Sequence, residues 1–174
     1  MNSIILLSGP VGAGKSTVAP ELIKLIEGPL IYIEGDIFWK FIARGNPAHD
    51  GGKSFAMTMA SMVAASLPYP RHGYNVIVDF SIPPWFLDTA FKMVNKKDIP
   101  LHYVVLRPSE EVCATRSVSR VEGYIEYDDK YRQLYKSFDQ AQKYIIPDET
   151  SEPVIIARMV KEGLDEACFW LNKD

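Results

Sequence analysis

The chain has 174 residues, of which 47% are hydrophobic and 24% are charged, and its formal net charge is −3. This composition is that of an ordinary globular protein, and the length is typical of one domain, so we predict a single domain over residues 1–174. The slightly acidic total provides no electrostatic footprint for nucleic acid or for an anionic membrane, and we expect neither as a partner.

The two cysteines, Cys113 and Cys168, have neither metal-ligand spacing nor a disulfide framework, which indicates buried, reduced thiols. No apolar run approaches the roughly 20 residues that a membrane-spanning helix needs. We expect no signal peptide before the first apolar run, because a glycine-rich motif already begins at Gly9. Together these features predict a cytoplasmic protein.

Five short apolar runs alternate with stretches of helical periodicity along the chain. The runs cover residues 4–8, 30–34, 75–80, 101–106 and 144–146. Several are apolar on both alternating faces, as is typical of strands covered by helices on both sides. The alternation predicts a doubly wound α/β fold with a five-stranded parallel sheet, whose ligands bind outside the carboxyl ends of the strands.

The first run leads directly into the strongest motif of the chain, which fits G-x-x-x-x-G-K-[ST], the phosphate-binding loop or P-loop. A strand before the motif and a helix after it are the context that the motif requires. A glycine-rich turn that merely caps a helix is the alternative, but four fixed residue types in a row of eight rarely arise by chance. The predicted nucleotide-binding residues are Gly9, Pro10, Val11, Gly12, Ala13, Gly14, Lys15, Ser16 and Thr17.

Each fixed position of this loop has its own physical reason. The three glycines allow backbone dihedrals that bring N–H groups round a phosphate, and the helix that begins near Lys15 directs its positive end at the same anion. Lys15 carries a full positive charge to the β- and γ-phosphates, and Ser16 offers its hydroxyl to Mg²⁺. Thr17 can form a hydrogen bond with the α-phosphate. The motif therefore predicts ATP and Mg²⁺ as cofactors.

The second run ends in Glu34-Gly35-Asp36. An acid at the carboxyl end of a strand beside the P-loop can receive a proton from a hydroxyl that attacks the γ-phosphate, so Asp36 is the candidate catalytic base. A compatible alternative is that Asp36 caps the next helix. We interpret Glu34 as structural.

A turn-rich loop over residues 45–52 follows, at the point where a substrate-specific loop would lie. Its His49 and Asp50 are either substrate contacts or the tip of a solvated loop. The helical stretch after it, residues 55–67, carries methionines that we expect to fill the core.

The third run closes with Asp79, and Ser81 follows. An apolar strand closed by aspartate is the pattern of a residue that holds the Mg²⁺ shell, often through water. The alternative is an aspartate that only forms a turn at the strand end. Asp79 and Ser16 are the predicted metal-binding residues.

Residues 95–98 match N-K-x-D, the guanine-reading sequence of GTPases. In a GTPase this sequence closes an apolar strand, whereas here it follows a helical pattern and precedes a new strand. The D-x-x-G switch is also absent, because Asp79 leads into Phe80, Ser81 and Ile82. We therefore predict a helix C-terminal turn at residues 95–98.

The helix predicted after the fourth run carries Arg116 and Arg120. At a spacing of four residues both guanidinium groups lie on one helix face, where they can clamp phosphates and stabilise charge on the transferred group. Alternatively they are solvated partners of nearby acids such as Glu111 and Glu122. We count both arginines as candidate catalytic residues.

These residues together resemble the small P-loop kinases of the nucleotide- and metabolite-kinase group, and most closely proteins related to chloramphenicol phosphotransferase, gluconate kinase and zeta toxins. The resemblance extends over nearly the whole chain. It rests on Gly9–Thr17, 34–36, 73–79, 84–86, 106–107, Arg116 and Arg120.

The resemblance implies a P-loop NTPase-type three-layer sandwich with a short helical lid at about residues 116–130. It implies that Asp36 is the base or a substrate ligand, and that one of Arg116 and Arg120 stacks on adenine while the other reaches the transferred phosphate. The substrate-reading signatures of gluconate, shikimate and nucleoside monophosphate kinases are absent from residues 38–74, and residues 121–127 form a short acidic lid instead of an arginine-rich one.

The sequence thus predicts an ATP-dependent kinase that moves the γ-phosphate of Mg-ATP to a hydroxyl of a small molecule. The second hypothesis is a nucleotide-binding regulatory or interaction protein with weak ATPase activity, which recognises a protein partner through residues 45–72. A third hypothesis, a kinase acting on a nucleic-acid end, is disfavoured by the negative net charge of the chain. The sequence specifies neither the acceptor nor the oligomeric state.

Overall fold

The fold is built on five parallel strands that form one sheet in the computed structural model, which describes residues 2–45, 50–119 and 126–172. The strands are β1 Ile4–Ser8, β2 Leu30–Glu34, β3 Asn75–Asp79, β4 Leu101–Leu106 and β5 Ile145–Ile146. Their order across the sheet is β2-β3-β1-β4-β5. The predicted parallel α/β sheet is confirmed, although β3 ends one residue earlier and β5 begins one residue later than the apolar runs indicated.

The helices connect these strands as the alternation predicted. They are α1 Lys15–Leu25, α2 Lys53–Ser66, α3 Leu87–Asn95, α4 Glu110–Val118, α5 Asp129–Ser137 and α6 Pro153–Asp165, with 3₁₀-helices at Gly35–Phe41, Pro70–His72, Pro84–Phe86 and Phe138–Tyr144. None of the helices in the described ranges has the length and apolar character needed to span a bilayer.

Helices α3 and α6 are each followed by a residue with a left-handed backbone. Helix α3 stops at Asn95, and Asp98 then adopts a left-handed φ of 53°, so residues 95–98 form the predicted helix C-terminal turn. The last helix, α6, ends at Asp165. Ala167 beyond it adopts a left-handed φ of 57°, and the ring of Phe169 lies over Gly163, where a Cβ would be 2.2 Å from that ring.

The strand side chains alternate between two helical layers. On one face Ile5, Leu7 and Ile77 pack against apolar residues of α1 and α6, among them Val18, Leu22, Ala157 and Val160. On the other face Ile4, Leu6 and Val78 pack against residues of α2 and α3, among them Met59, Met62 and Ala90. The predicted three-layer sandwich is therefore confirmed, and Asp79, two residues beyond Ile77, lies on the α1 face.

His102, near the amino end of β4, is a residue whose burial contributes to the pH dependence of stability. Its Nδ1 is buried and has no hydrogen-bond partner among the described residues, and desolvation lowers the pKa of the imidazole below its usual 6.5. Because the unfolded chain binds this proton more tightly than the folded one, the folded state is favoured above pH 6.5 and loses stability as the pH falls below it.

We therefore expect the free energy of unfolding to fall by at most about 1.4 kcal/mol per pH unit below pH 6.5 through this residue. Urea unfolding of wild type and His102→Gln at several pH values would measure the effect, and the variant should show a flatter profile in this range. His72, which is exposed, provides the matched control, since His72→Gln should keep the wild-type slope. Identical pH profiles for wild type and His102→Gln would contradict the assignment.

Candidate active site

The P-loop joins β1 to α1, and its glycines adopt backbone conformations that other residues rarely take. Gly9, Gly12 and Gly14 have φ values of 138°, 80° and 90°. A Cβ on Gly9 would lie 2.1 Å from the carbonyl oxygen of Leu106, and one on Gly12 would lie 2.2 Å from that of Cys113. The first two glycines are thus required by close backbone approach as well as by φ, and the loop is fixed against β4 and α4.

The side chain of Lys15 folds back over this loop. Its Nζ donates hydrogen bonds to the carbonyl oxygens of Gly9 at 3.1 Å and Pro10 at 3.0 Å, and to Ser81 Oγ at 3.1 Å. At the start of α1, Gly14 provides no side-chain cap and the first turn contains no acid, while Ser16 and Thr17 are exposed. The positive end of the helix therefore faces the site without a side-chain anion.

A buried hydrogen-bond network holds the segment after β3 in place beside β1. Ser8 Oγ donates to the carbonyl oxygen of Ile82 at 2.9 Å and accepts from its N–H at 2.8 Å. The hydroxyl of Tyr103 donates to the same carbonyl at 2.7 Å. Because these groups are buried and fully paired, they fix the position of Ser81 and hence its contact with Lys15.

Asp79 closes β3 and is only 4% exposed, with its carboxylate bonded to a tyrosine of the neighbouring strand. Tyr32 Oη donates to Asp79 Oδ2 at 2.8 Å. Burial, and then the charge of Asp79, raise the pKa of Tyr32 well above its usual range, with smaller effects from Glu34 and Asp36. Tyr32 is therefore a neutral donor at physiological pH, and the three acids lie close enough to act on one phenol.

The groups at this edge of the sheet fit a magnesium ion that is held mainly by phosphate and water. Among the residues that the structure describes, no cluster of three His, Cys, Asp or Glu side chains could hold a metal by itself. Mg²⁺ at nucleotide sites needs only one or two protein ligands besides phosphates and water, which the Ser16 hydroxyl and the Asp79 carboxylate can supply. The donor set is thus consistent with the predicted metal pair.

Beyond β2 and β3, four aromatic rings form a contiguous surface, the aromatic wall, made of Trp39, Phe55, Phe80 and Trp85. Trp39 and Phe55 are stacked with ring centroids 6.3 Å apart, and Phe55 meets Phe80 at 5.7 Å and Trp85 at 6.1 Å. Trp85 is 53% exposed, so the wall continues from the core into solvent. Asp36 is exposed and lies in the 3₁₀-helix that also carries Trp39.

Arg116 lies on the opposite side of the P-loop. Its Nη2 donates to the carbonyl oxygen of Glu149 at 3.1 Å, and a Cβ on Gly14 would lie 3.8 Å from its Nη1. Glu149 Oε2 also accepts from the N–H of Ser109 at 2.7 Å, at the start of α4. Arg116 thus spans the gap between the phosphate loop and the loop after β5.

A further arginine, Arg107, connects the end of β4 to the helices after it. Its guanidinium group forms an ion pair with Asp139 and lies 4.4 Å from the ring centroid of Tyr135. The hydroxyl of Tyr135 donates to the carbonyl oxygen of Pro108 at 2.9 Å. These contacts attach α5, which carries no fully buried residue of its own, to the edge of the sheet.

With this geometry established, the chain can be compared with known proteins. A sequence model described as "chloramphenicol phosphotransferase-like protein" matches residues 2–160. The chain belongs to the chloramphenicol phosphotransferase-like family. This confirms the resemblance inferred from the motifs. No curated protein sequence matches the chain.

Solved structures share the fold of this chloramphenicol phosphotransferase-like protein. The Deinococcus radiodurans tunicamycin resistance protein is 16% identical with a TM-score of 0.69, covering 99% of this chain and 100% of its own. Shikimate kinase from Acinetobacter baumannii, solved with shikimate, is 17% identical with a TM-score of 0.65 and coverages of 96% and 95%. APS kinase from Mycobacterium tuberculosis, solved with AMPPNP and APS, is 16% identical with a TM-score of 0.64 and coverages of 94% and 98%. At these identities the likeness establishes the fold.

In this chloramphenicol phosphotransferase-like protein, most of the predicted site residues lie at the carboxyl edge of the sheet. The residues so placed are the P-loop Gly9–Thr17, Asp36, Asp79 and Arg116. Arg120 and His49 lie outside the described residues, as do residues 120–125 of the expected lid. Their assigned roles stay predictions.

Three side chains correct or extend the sequence interpretation of this family member. Asp36 does not cap the next helix, since Glu34 occupies that position. Asp50 accepts hydrogen bonds from the N–H groups of Gly52 and Ser54 at the start of α2, so the structure gives it a local capping role. Tyr32 was missed, because a tyrosine in an apolar strand carries no signal of the aspartate it bonds on another strand.

Both cysteines are free thiols, and Cys113 is buried as predicted. The expected burial of Cys168 is wrong, since this residue lies exposed in the turn after α6. Burial raises the pKa of Cys113 to about 11, despite the lowering effect of Lys15 and the nearby arginines. This thiol beneath the P-loop therefore stays protonated at neutral pH and takes a packing role.

Proposed function

We propose that this protein is a phosphotransferase that moves the γ-phosphate of Mg-ATP to a hydroxyl of a small molecule. The observation that carries the proposal is the contact of Lys15 Nζ with Ser81, two residues beyond the buried carboxylate of Asp79. A phosphate-binding loop and an acid suited to a magnesium shell thus meet at one site. That combination is what transfer of a terminal phosphate requires.

For the nucleotide, residues of the chain align the phosphates and stabilise their negative charge. The P-loop N–H groups and Lys15 hold the phosphates, and the Arg116 guanidinium lies beside the loop where the rest of the nucleotide extends. Ser16 and Asp79 would hold the magnesium ion, which neutralises phosphate charge when bound. Phosphate transfer depends mainly on such alignment and charge stabilisation, so these residues account for the chemistry without a covalent intermediate.

For the acceptor, Asp36 supplies a base and the aromatic wall supplies an apolar binding surface. Asp36 has no hydrogen bond or ion pair to the other described residues, so its carboxylate is available to accept a proton from the attacking hydroxyl. The 3₁₀-helix that carries Asp36 also carries Trp39 of the aromatic wall, and the exposed indole of Trp85 extends that apolar wall into solvent. We therefore propose an acceptor alcohol with an apolar or aromatic face, and the family's name makes chloramphenicol the first compound to test.

The second candidate is a nucleotide-binding interaction protein with weak ATPase activity. Three apolar side chains near the same edge favour it, since Ile37, Phe41 and Met57 are 42%, 69% and 53% exposed. Such side chains can line either an acceptor pocket or a protein interface. The two candidates differ in whether a small alcohol increases the rate of ATP turnover.

The deciding experiment is ADP release from Mg-ATP across a panel of hydroxyl compounds. The panel pairs aryl alcohols, including chloramphenicol, with sugars, sugar acids, nucleosides and nucleoside monophosphates. We expect aryl alcohols to raise ADP release above the rate without acceptor. If no compound raised ADP release while ATP still bound tightly, the interaction protein would be favoured instead.

With an active acceptor, Asp36→Asn should keep nucleotide affinity within about twofold and lower transfer by about 10²-fold, because the amide cannot accept the proton. Equilibrium binding of a fluorescent ATP analogue and the rate of product formation separate the two effects. Asp98→Asn is the matched control, since Asp98 is an exposed acid at the far end of the sheet. Full transfer by Asp36→Asn would remove this residue as the base.

A further inference from the structure

We infer that Tyr32 is a positioning residue for Asp79 and thereby sets the magnesium affinity of the nucleotide site. The inference rests on the proposed function, and it concerns a residue with no feature in the sequence that marks it. Tyr32 lies on β2, one of the two edge strands of the sheet, and is 37% exposed.

The strand register explains how this phenol reaches Asp79. Tyr32 pairs with Ile77 and Glu34 pairs with Asp79, so all four side chains project from the same face of the two strands. The Tyr32 ring therefore leans along β3 past Ile77, and its hydroxyl meets Asp79 Oδ2 at 2.8 Å. This face is the one covered by α1, whose first turn carries Ser16.

The hydrogen bond engages one oxygen of the carboxylate and leaves the other for the ion. Within the described ranges, Oδ2 accepts from Tyr32 and Oδ1 accepts no hydrogen bond. A carboxylate with one oxygen fixed cannot rotate freely, so the second oxygen keeps one direction. That oxygen can then accept from a water of the magnesium shell without a further ordering cost.

A phenol suits this position because it is a neutral hydrogen-bond donor. Lys or Arg at this position would hold the carboxylate equally well but would cancel its negative charge, which the cation needs. A neutral hydroxyl holds Asp79 and leaves that charge in place. Tyr32 thus meets a requirement that a cationic side chain would not.

The test measures magnesium binding rather than turnover. A fluorescent ATP analogue is titrated onto wild type and Tyr32→Phe, first with EDTA and then at increasing Mg²⁺ concentrations. The Mg²⁺ concentration that gives half of the magnesium-dependent gain in affinity should rise about tenfold in Tyr32→Phe. The reason is that one hydrogen bond to a charged group is lost. Affinity for the analogue in EDTA should stay unchanged.

Tyr74→Phe is the matched control. Tyr74 is 38% exposed, immediately precedes β3 at the opposite end from Asp79, and its hydroxyl makes no hydrogen bond to the described residues. This variant should give the wild-type Mg²⁺ dependence, and thermal unfolding of all three proteins checks that they are folded.

The outcomes separate the positioning role from the proposed function. Wild-type Mg²⁺ dependence in Tyr32→Phe would overturn the positioning role while leaving the kinase intact. An equal loss of affinity in EDTA and in Mg²⁺ would also overturn it, since a general disturbance of the site would then be the cause. Wild type that binds no nucleotide under either condition would overturn both proposals.

Discussion

Lys15→Ala should lower phosphate transfer by about 10³-fold or more and should weaken ATP binding at the same time. The ammonium group is the only side-chain cation that the P-loop motif supplies to the β- and γ-phosphates. Removing it leaves the charge that develops on the transferred phosphate without its main partner. ADP release with the best acceptor, together with binding of a fluorescent ATP analogue, measures both losses.

The hydrogen bonds of Lys15 in the structure go to acceptors that a phosphate oxygen can replace. Its Nζ is held by the carbonyl oxygens of Gly9 and Pro10 and by Ser81 Oγ, all neutral acceptors at 3.0 to 3.1 Å. A phosphate oxygen carries a full charge and competes well with such acceptors for the ammonium group. We therefore expect Lys15 to turn toward the nucleotide on binding, with the loop left in place.

Lys24→Ala is the control, because Lys24 lies on the same helix but is exposed and, among the residues that the structure describes, pairs only with Glu21 at 2.7 Å. An exposed pair of this kind contributes little to stability. Lys24→Ala should therefore keep both transfer and nucleotide affinity. If Lys15→Ala retained more than about a tenth of wild-type transfer, the P-loop assignment of the reaction would fail.

Gly12→Ala should destabilise the fold by about 3–5 kcal/mol and abolish nucleotide binding. Two costs add at this position. The φ of 80° strains any residue with a Cβ, and the new methyl group would lie 2.2 Å from the carbonyl oxygen of Cys113 and 2.8 Å from Ser117 Oγ. Because a backbone carbonyl in α4 cannot swing aside like a side chain, the loop itself must move.

Gly28→Ala separates these two costs. Gly28 has the same φ of 80°, but a Cβ there would have no atom within 4 Å. This control should lose only about 1 kcal/mol, which is the cost of the left-handed conformation alone. Urea unfolding gives both values, and an equal loss in the two variants would mean that close packing of the P-loop on α4 adds nothing.

The sequence determined the elements whose signals are local. Side-chain periodicity located β1, β2 and β4 with their observed bounds, because an apolar run between turn residues is short-range information. The P-loop followed from residue types within one stretch of nine, where each glycine and Lys15 has a fixed role in the loop. Asp36 and Asp79 were predicted from their positions, since Asp79 closes β3 and Asp36 follows β2 by two residues, at the edge where the fold class collects its ligands.

The tertiary structure decided the contacts that join distant segments. The placement of β3 between β1 and β2 brings Ser81 to Lys15 and Tyr32 to Asp79, across 66 and 47 residues of sequence. The aromatic wall likewise combines rings from the segments after β2 and β3 with Phe55 of α2. These contacts depend on the order and register of the strands, which arise from packing of the whole chain and leave no local pattern to read.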